Sequence, residues 1–309
     1  MKILITGGSG LVGSAIKTIQ HEFNDYELIT PSSQLYNLLE YIDADQMIYE
    51  HKPDWVVHLA ANVGGLYKNM NQPVEMFEEN MLMNMNVVRA CHDNGVKNFV
   101  GCLSTCIFPD SINYPIDESQ LHHGPPHESN APYAHAKRML QVQCDAYNKK
   151  YNHNYNCIIP TNVYGENDNY QLENSHVIPG LIHRCYLAKQ DDKPFVVRGT
   201  GNVLRQFIHA EDLARAIMKL LPVIKQDTVI VADDQTEVTI KSVAEIIADQ
   251  FEYKQHMTFD TSYSDGQYKK TADSSKLMNM LPKMNFRSLD QGIKQTVNHF
   301  INNYDKLRK

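Results

Sequence analysis

Seven residues constrain the fold more than any others: Gly7-Gly8-Ser9-Gly10-Leu11-Val12-Gly13 follows the apolar run 2–6 without a gap. A short strand, a G-x-x-G-x-x-G turn and an amphipathic helix to about residue 23 form the first half of a βαβ unit. Glycines there permit a tight turn and close approach of a ligand to the backbone. The free N–H groups at the helix start then face a pyrophosphate. Further strands are expected at 26–30, 54–61, 98–104 and 156–160, with helices at 43–51 and 73–95 and one carrying Tyr133. This alternation over 1–165 predicts an α/β chain with a doubly wound parallel sheet.

The end of the second strand reads Thr30-Pro31-Ser32-Ser33. NAD-binding chains place an Asp or Glu here, on the ribose 2′-hydroxyl. Without that carboxylate nothing repels a 2′-phosphate, so NADP is expected over NAD. The small residues Ala60 and Ala61 close the third strand, where a dinucleotide passes near the backbone or where they simply pack.

After residue 165 the pattern changes. A strand at 194–198, a helix at 211–221, a strand at 227–232, a helix at 240–252, a strand at 256–262 and a final helix at 287–305 describe a smaller, mixed α/β lobe. The expected division is 1–165 for the cofactor, with part of 200–235 joining it, and mainly 166–309 for the substrate. The polar stretch 265–270 is expected at the surface of this lobe.

Thirty-six acidic against 29 basic residues give a net charge of −7, and no basic block stands out, which argues against nucleic acid as a partner. No apolar run approaches the length of a membrane span. The six cysteines, Cys91, Cys102, Cys106, Cys144, Cys157 and Cys185, are dispersed through core elements, as suits a reducing cytosol. His122, His123 and His127 share a Gly/Pro-rich loop without metal-ligand spacing, so no metal is expected.

The chemistry concentrates in Ser104-Thr105-Cys106 and in Tyr133-Ala134-His135-Ala136-Lys137. The first group ends a strand, at the edge where open α/β sheets bind ligands. Tyr133 and Lys137 fall one turn apart on one helix face, with Ser129 or Asn130 as cap and Pro132 in the first turn. An ammonium beside a phenol favours the phenolate and lowers its pKa from about 10, so the phenol can exchange a proton with an alcohol. In an extended strand Thr105 faces away from Ser104, and Cys102 is assigned to packing. The long Pro-, His- and Gly-rich connection 107–131 is expected to lie over the site.

The glycine turn, Ser104 and Tyr133-x-x-x-Lys137, in this order, resemble the extended short-chain dehydrogenase/reductase family. The stretches 102–110, 160–165, 176–183 and 264–270 resemble its NADPH-dependent members that epimerise GDP-4-keto-6-deoxy-D-mannose at C3 and C5 and then reduce C4. The similarity runs from Lys2 to the C-terminus. It implies a Rossmann sheet, Ser104, Cys106, Tyr133, Lys137 and His176 as catalytic residues, and Cys106 and His176 as the proton-exchanging pair. It places the cofactor against residues 7–13, Ala60, Lys137, Pro160, Thr161, Asn162, Val163 and His176. It places the GDP-sugar against Arg184, Arg198, Arg205 and Asp265. The same resemblance implies a homodimer formed through helices flanking the sheet, with the Met-rich helix 73–95 and the Tyr133 helix as candidates; the location expected from the cysteines is cytoplasmic.

Two alternatives remain at this stage. A 4-epimerase or 4,6-dehydratase would share the scaffold. The former needs no Cys/His pair, and the latter pairs a Glu near the serine where this chain has Thr105-Cys106. A non-enzymatic binding module would typically have lost Tyr133 or Lys137.

Overall fold

The computed structural model of the chain describes residues 1–309 except Ser264 and Gly266, and the backbone alone at Leu66, Tyr67 and Gln235. Ser264 and Gly266 of the 264–270 motif thus lie outside the described residues. In the first half, strands β1 (Lys2–Thr6), β2 (Glu27–Ile29), β3 (Trp55–His58), β4 (Asn98–Cys102) and β5 (Asn154–Pro160) alternate with helices. These are α1 (Leu11–Thr18), α2 (Tyr41–His51), α3 (Leu66–Asn71), α4 (Pro73–Asp93) and α5 (Ala131–Tyr151).

The second half contains β6 (Asn162–Tyr164), α6 (Val177–Gln190), β7 (Phe195–Arg198), β8 (Leu204–Arg205), β9 (Phe207–His209), α7 (Ala210–Leu220) and β10 (Thr228–Val231). It ends with β11 (Val238–Thr239), α8 (Ile240–Gln250), β12 (Met257–Asp260), α9 (Ser275–Met280) and α10 (Leu289–Asn303).

Six strands build one parallel sheet in the order β10-β5-β4-β3-β1-β2. From β1 the chain crosses to β2 on one side and returns to β3 on the other. A crevice therefore opens at the carboxyl ends of β1 and β3, where such sheets hold ligands. Both faces are covered, so the strands are apolar at successive positions instead of alternating. Leu4, Val56, Phe99, Cys157, Ile159 and Ile230 pack under α2, α4 and α5. Ile3, Ile5, Val57, Val100, Ile158 and Val229 pack against α1 and α7 on the opposite face. Each fully buried aliphatic side chain contributes about 1.5–3 kcal/mol.

A third core joins α6, α8 and α10 to β7 through Ile182, Phe195, Val197, Ile247, Ile293 and Phe300. Short pairs stitch this part together: β6 with β9, β7 with β12, and β8 with β11. Arg287, ahead of α10, donates to Glu211 of α7 at 2.6 Å and ties the third core to the second.

Two local expectations need correction. The fourth strand stops at Cys102, and Thr105–Ile107 form a 3₁₀ turn with Ser104 as its N-cap. Thr105 is therefore not the opposite face of an extended strand. Ahead of α5, Asn130 occupies the cap position without a side-chain bond, and the His127 imidazole accepts from the Ser129 N–H at 3.2 Å.

Candidate active site

Two cavities flank the carboxyl edge of the sheet, and both are lined by Ser104, Tyr133, Asn162, Val163 and His176. The larger, about 570 Å³, follows the crevice between β1 and β3. The smaller, about 370 Å³, opens between α6 and the segments around β7 and β8.

The larger cavity is lined by Gly7, Gly8, Ser9, Gly10, Leu11, Val12, Gly13, Ala60, Lys137, Pro160 and Thr161, besides Asn162, Val163 and His176. Its shape depends on glycine at two points. Gly7 has φ +71°, and a Cβ there would stand 2.7 Å from the Ala60 nitrogen. A Cβ on Gly13 would meet the Gly8 Cα at 2.6 Å. Close approach of the loop to α1 and to the end of β3 is thus possible only without side chains. The far wall carries Ser32 and Ser33 and no carboxylate from the end of β2. A helix start open to the cavity, a glycine cradle and hydroxyls in place of an acid fit a dinucleotide with a 2′-phosphate.

At the cavity junction, Tyr133 and Lys137 are both buried, at 7% and 2% exposure. The Lys137 ammonium donates to the Cys102 carbonyl at 3.0 Å. This alters the sequence expectation for the phenol. Burial, followed by the nearby thiols of Cys106 and Cys102, pushes Tyr133 well above its ordinary value. Burial also lowers Lys137. The phenol is therefore held protonated and is set up as a donor.

Beyond β4, the 3₁₀ turn bends the chain so that Ser104 faces both cavities while Cys106 lines only the smaller one. The Cys106 N–H reaches the Ser104 Oγ at 3.5 Å. Burial raises the Cys106 thiol, opposed by Lys270, by the bond to Ser104 and by Lys137.

His176 stands at the N-terminus of α6 without capping it by its side chain. Half of its side-chain surface is accessible, and it lines both cavities. Its surroundings are nonetheless crowded enough for burial to pull its pKa down. Asp168, with Oδ1 4.0 Å from His176 Nδ1, more than offsets this, and the net shift is upward.

Arg184, Arg198, Arg205 and Asp265 all line the smaller cavity. Burial lowers Arg205 to about 10, which leaves it cationic at neutral pH. Its guanidinium donates to the backbone carbonyls of Leu204 (2.7 Å) and Gln267 (2.6 Å). Asp265 accepts from the Thr200 N–H at 2.8 Å and its hydroxyl at 2.7 Å. Arg198 lies over the Tyr263 ring, 4.6 Å from its centroid.

Tyr263 thus brings an aromatic ring to a place where the sequence showed only an arginine. The stretch 265–270 is not simply a surface loop, because Gln267 and Lys270 join Asp265 in the cavity wall. Sequence reasoning also passed over Asp168 and Arg308, which line the larger cavity. No local spacing marks these residues; only the fold brings them to the site.

A crevice at the sheet's switch point with a Ser/Tyr/Lys set at its edge defines a dinucleotide-dependent oxidoreductase of the short-chain type. A model of the NAD dependent epimerase/dehydratase family matches residues 3–232. The chain is 44% identical to a GDP-L-fucose synthase of Dictyostelium discoideum over 313 residues, spanning 99% of this chain and 97% of that one. It is 42% identical to a probable GDP-L-fucose synthase of Drosophila melanogaster, spanning 100% and 99%. The crystal structure of a GDP-L-fucose synthetase from Naegleria fowleri bound to NADP superposes with a TM-score of 0.93 at 40% identity, covering 100% of this chain and 95% of that one. The chain belongs to the NAD dependent epimerase/dehydratase family, within its GDP-L-fucose synthase group.

Proposed function

We propose that this protein converts GDP-4-keto-6-deoxy-D-mannose to GDP-L-fucose, by epimerisation at C3 and C5 followed by NADPH-dependent reduction at C4. The observation that carries this reading is the junction of the two cavities. Ser104, Tyr133 and His176 face both, Cys106 faces only the smaller, and Lys137 only the larger. A nucleotide sugar in one and a dinucleotide in the other would meet at the phenol.

Both C3–H and C5–H are α to the ketone and therefore acidic. Of Cys106 and His176, one takes the proton from one ring face and the other returns a proton to the opposite face. The electron pair rests on O4 in between, so each inversion leaves the proton count unchanged. Ser104 and Tyr133 donate hydrogen bonds to O4 and stabilise the enolate. Held by residues 7–13 and Lys137, NADPH would supply the hydride for C4. As O4 becomes an alkoxide, Tyr133 gives it the phenolic proton. Lys137 holds the nicotinamide ribose beside the phenol.

Along the smaller cavity, Arg184 and Arg205 meet the diphosphate. Asp265 accepts from a ribose hydroxyl or the base, and Arg198 stacks on guanine with Tyr263 behind it. Residues 7–13, Ala60 and 160–163 line the path of the dinucleotide.

The reading includes a homodimer, supported by Val74, Phe77, Leu82 and Met85, which expose apolar surface along α4. It also includes a reducing cytoplasm, consistent with six free thiols. Among the described residues no helix is long and apolar enough to cross a membrane.

The test is NADPH oxidation with the ketosugar as sole acceptor. Turnover is expected, and absence of turnover with a folded, NADPH-binding protein would overturn the reading.

A further inference from the structure

We propose that Asp168 is the positioning residue for His176: it takes the imidazole Nδ1–H and so leaves Nε2 to exchange protons with the sugar. This rests on the function proposed above.

Asp168 is a carboxylate in an unusual place. It is 5% exposed, on the loop between β6 and α6. One oxygen, Oδ1, accepts from the Asn169 N–H at 2.7 Å and stands 4.0 Å from His176 Nδ1. The other, Oδ2, is buried with no hydrogen-bond partner. A buried carboxylate left half-satisfied is costly, and a native fold that keeps one usually has a use for it. The ring's Nδ1 lies nearer Oδ1, at 4.0 Å, and that oxygen can still accept its N–H beside that of Asn169. Closure of about 1 Å would bring this pair into hydrogen-bond range.

The loop is held firmly enough to aim the carboxylate. Tyr170, fully buried, donates to the Gly165 carbonyl at 3.2 Å. Gln295 of α10 donates to Glu166 at 2.7 Å. The Tyr170 N–H also reaches the Arg308 carbonyl at 2.9 Å. A histidine whose Nδ1–H is held by a carboxylate is fixed in tautomer and ring orientation, and its other nitrogen becomes the working one. His176 is available for this, since its side chain makes no cap bond to its own helix.

Two charged groups act on the ring. Asp168 favours its protonated form, and Arg308, from the C-terminal segment, opposes it. Removing the carboxylate charge therefore leaves burial and the opposing cation, both of which lower the ring, and the imidazole should titrate at lower pH.

The experiment compares wild type with Asp168→Asn, with folding checked by circular dichroism. The His176 ring is followed by NMR through a pH titration, its signal assigned by its loss in His176→Gln. The Asn variant should titrate at lower pH than wild type. In D₂O it should also incorporate deuterium into the ketosugar about 10- to 100-fold more slowly, with the acid limb of that rate displaced to lower pH. Asp168→Glu should recover part of both effects. An unchanged His176 titration in a folded Asn variant overturns the pairing, as does a slower exchange with an unmoved limb. Loss of fold in both the Asn and Glu variants would assign Asp168 to structure alone and also overturn it. Failure of the wild type to exchange any solvent deuterium would sink the epimerase reading, while the substrate-free titration would still judge the pairing separately.

Discussion

Lys137 donates to the main-chain carbonyl of Cys102 at 3.0 Å, while Tyr133, one turn earlier on the same helix, keeps its proton in a buried setting. The lysine is thereby fixed to the end of β4, and the phenol is a donor in waiting. Tyr133→Phe removes that proton source with little change in volume. Ketone reduction should fall by about 10²- to 10⁴-fold, measured as steady-state NADPH oxidation with saturating ketosugar.

In the proposed mechanism the Cys106 and His176 pair sets a pH window. Burial pulls His176 down, but Asp168 outweighs it, so the ring titrates above its ordinary 6.5. Burial carries the thiol above its ordinary 9.0. Epimerisation needs one proton shared by the pair, and that form dominates between the two macroscopic values. The rate of solvent deuterium exchange should therefore be bell-shaped. It should fall on the acid side as the ring becomes protonated and on the alkaline side as the thiol ionises.

The glycine turn allows a test of cofactor binding that avoids the catalytic groups. A methyl on Gly13 would press against the Gly8 Cα at 2.6 Å, with the backbone of the turn unable to give way cheaply. Gly13→Ala should cost about 1–3 kcal/mol of stability, read as a lower Tm, and should weaken NADPH binding in a fluorescence titration.

Along α4, Leu82 and Met85 expose 46% and 51% of their surface, with Val74 and Phe77 on the same arc. A charge at the centre of an apolar contact cannot be buried unpaired. For the proposed homodimer, Leu82→Glu with Met85→Glu should shift sedimentation from dimer to monomer in analytical ultracentrifugation while the fold persists.

Much of this architecture was legible because its signals are local. Unbroken apolar strands, a glycine turn in register and Tyr133 four residues before Lys137 all follow from chain geometry. The end of β4 was not legible. Ser104, Thr105 and Cys106 suit an extended strand by propensity, but Ile107 and Phe108, both buried, pack into the core and draw the chain into a 3₁₀ turn. The six-residue helix Leu66–Asn71 was missed because six residues scarcely establish a period. Asp168, Tyr263 and Lys270 were out of reach for another reason: each is an ordinary polar residue in a loop until the third core folds it against the cavities. Charge and aromatic character could be read, but their direction could not.

The most direct measurement is the configuration at C3, C4 and C5 of the deoxyhexose made from GDP-4-keto-6-deoxy-D-mannose and NADPH, by NMR, with wild type and Cys106→Ser side by side. Wild type should yield the L-fuco sugar, and the serine variant should accumulate a 4-reduced sugar that has not been inverted at both centres. A wild-type product with the starting configuration at C3 and C5, or full inversion by Cys106→Ser at an undiminished rate, would contradict a thiol and an imidazole working across the ring.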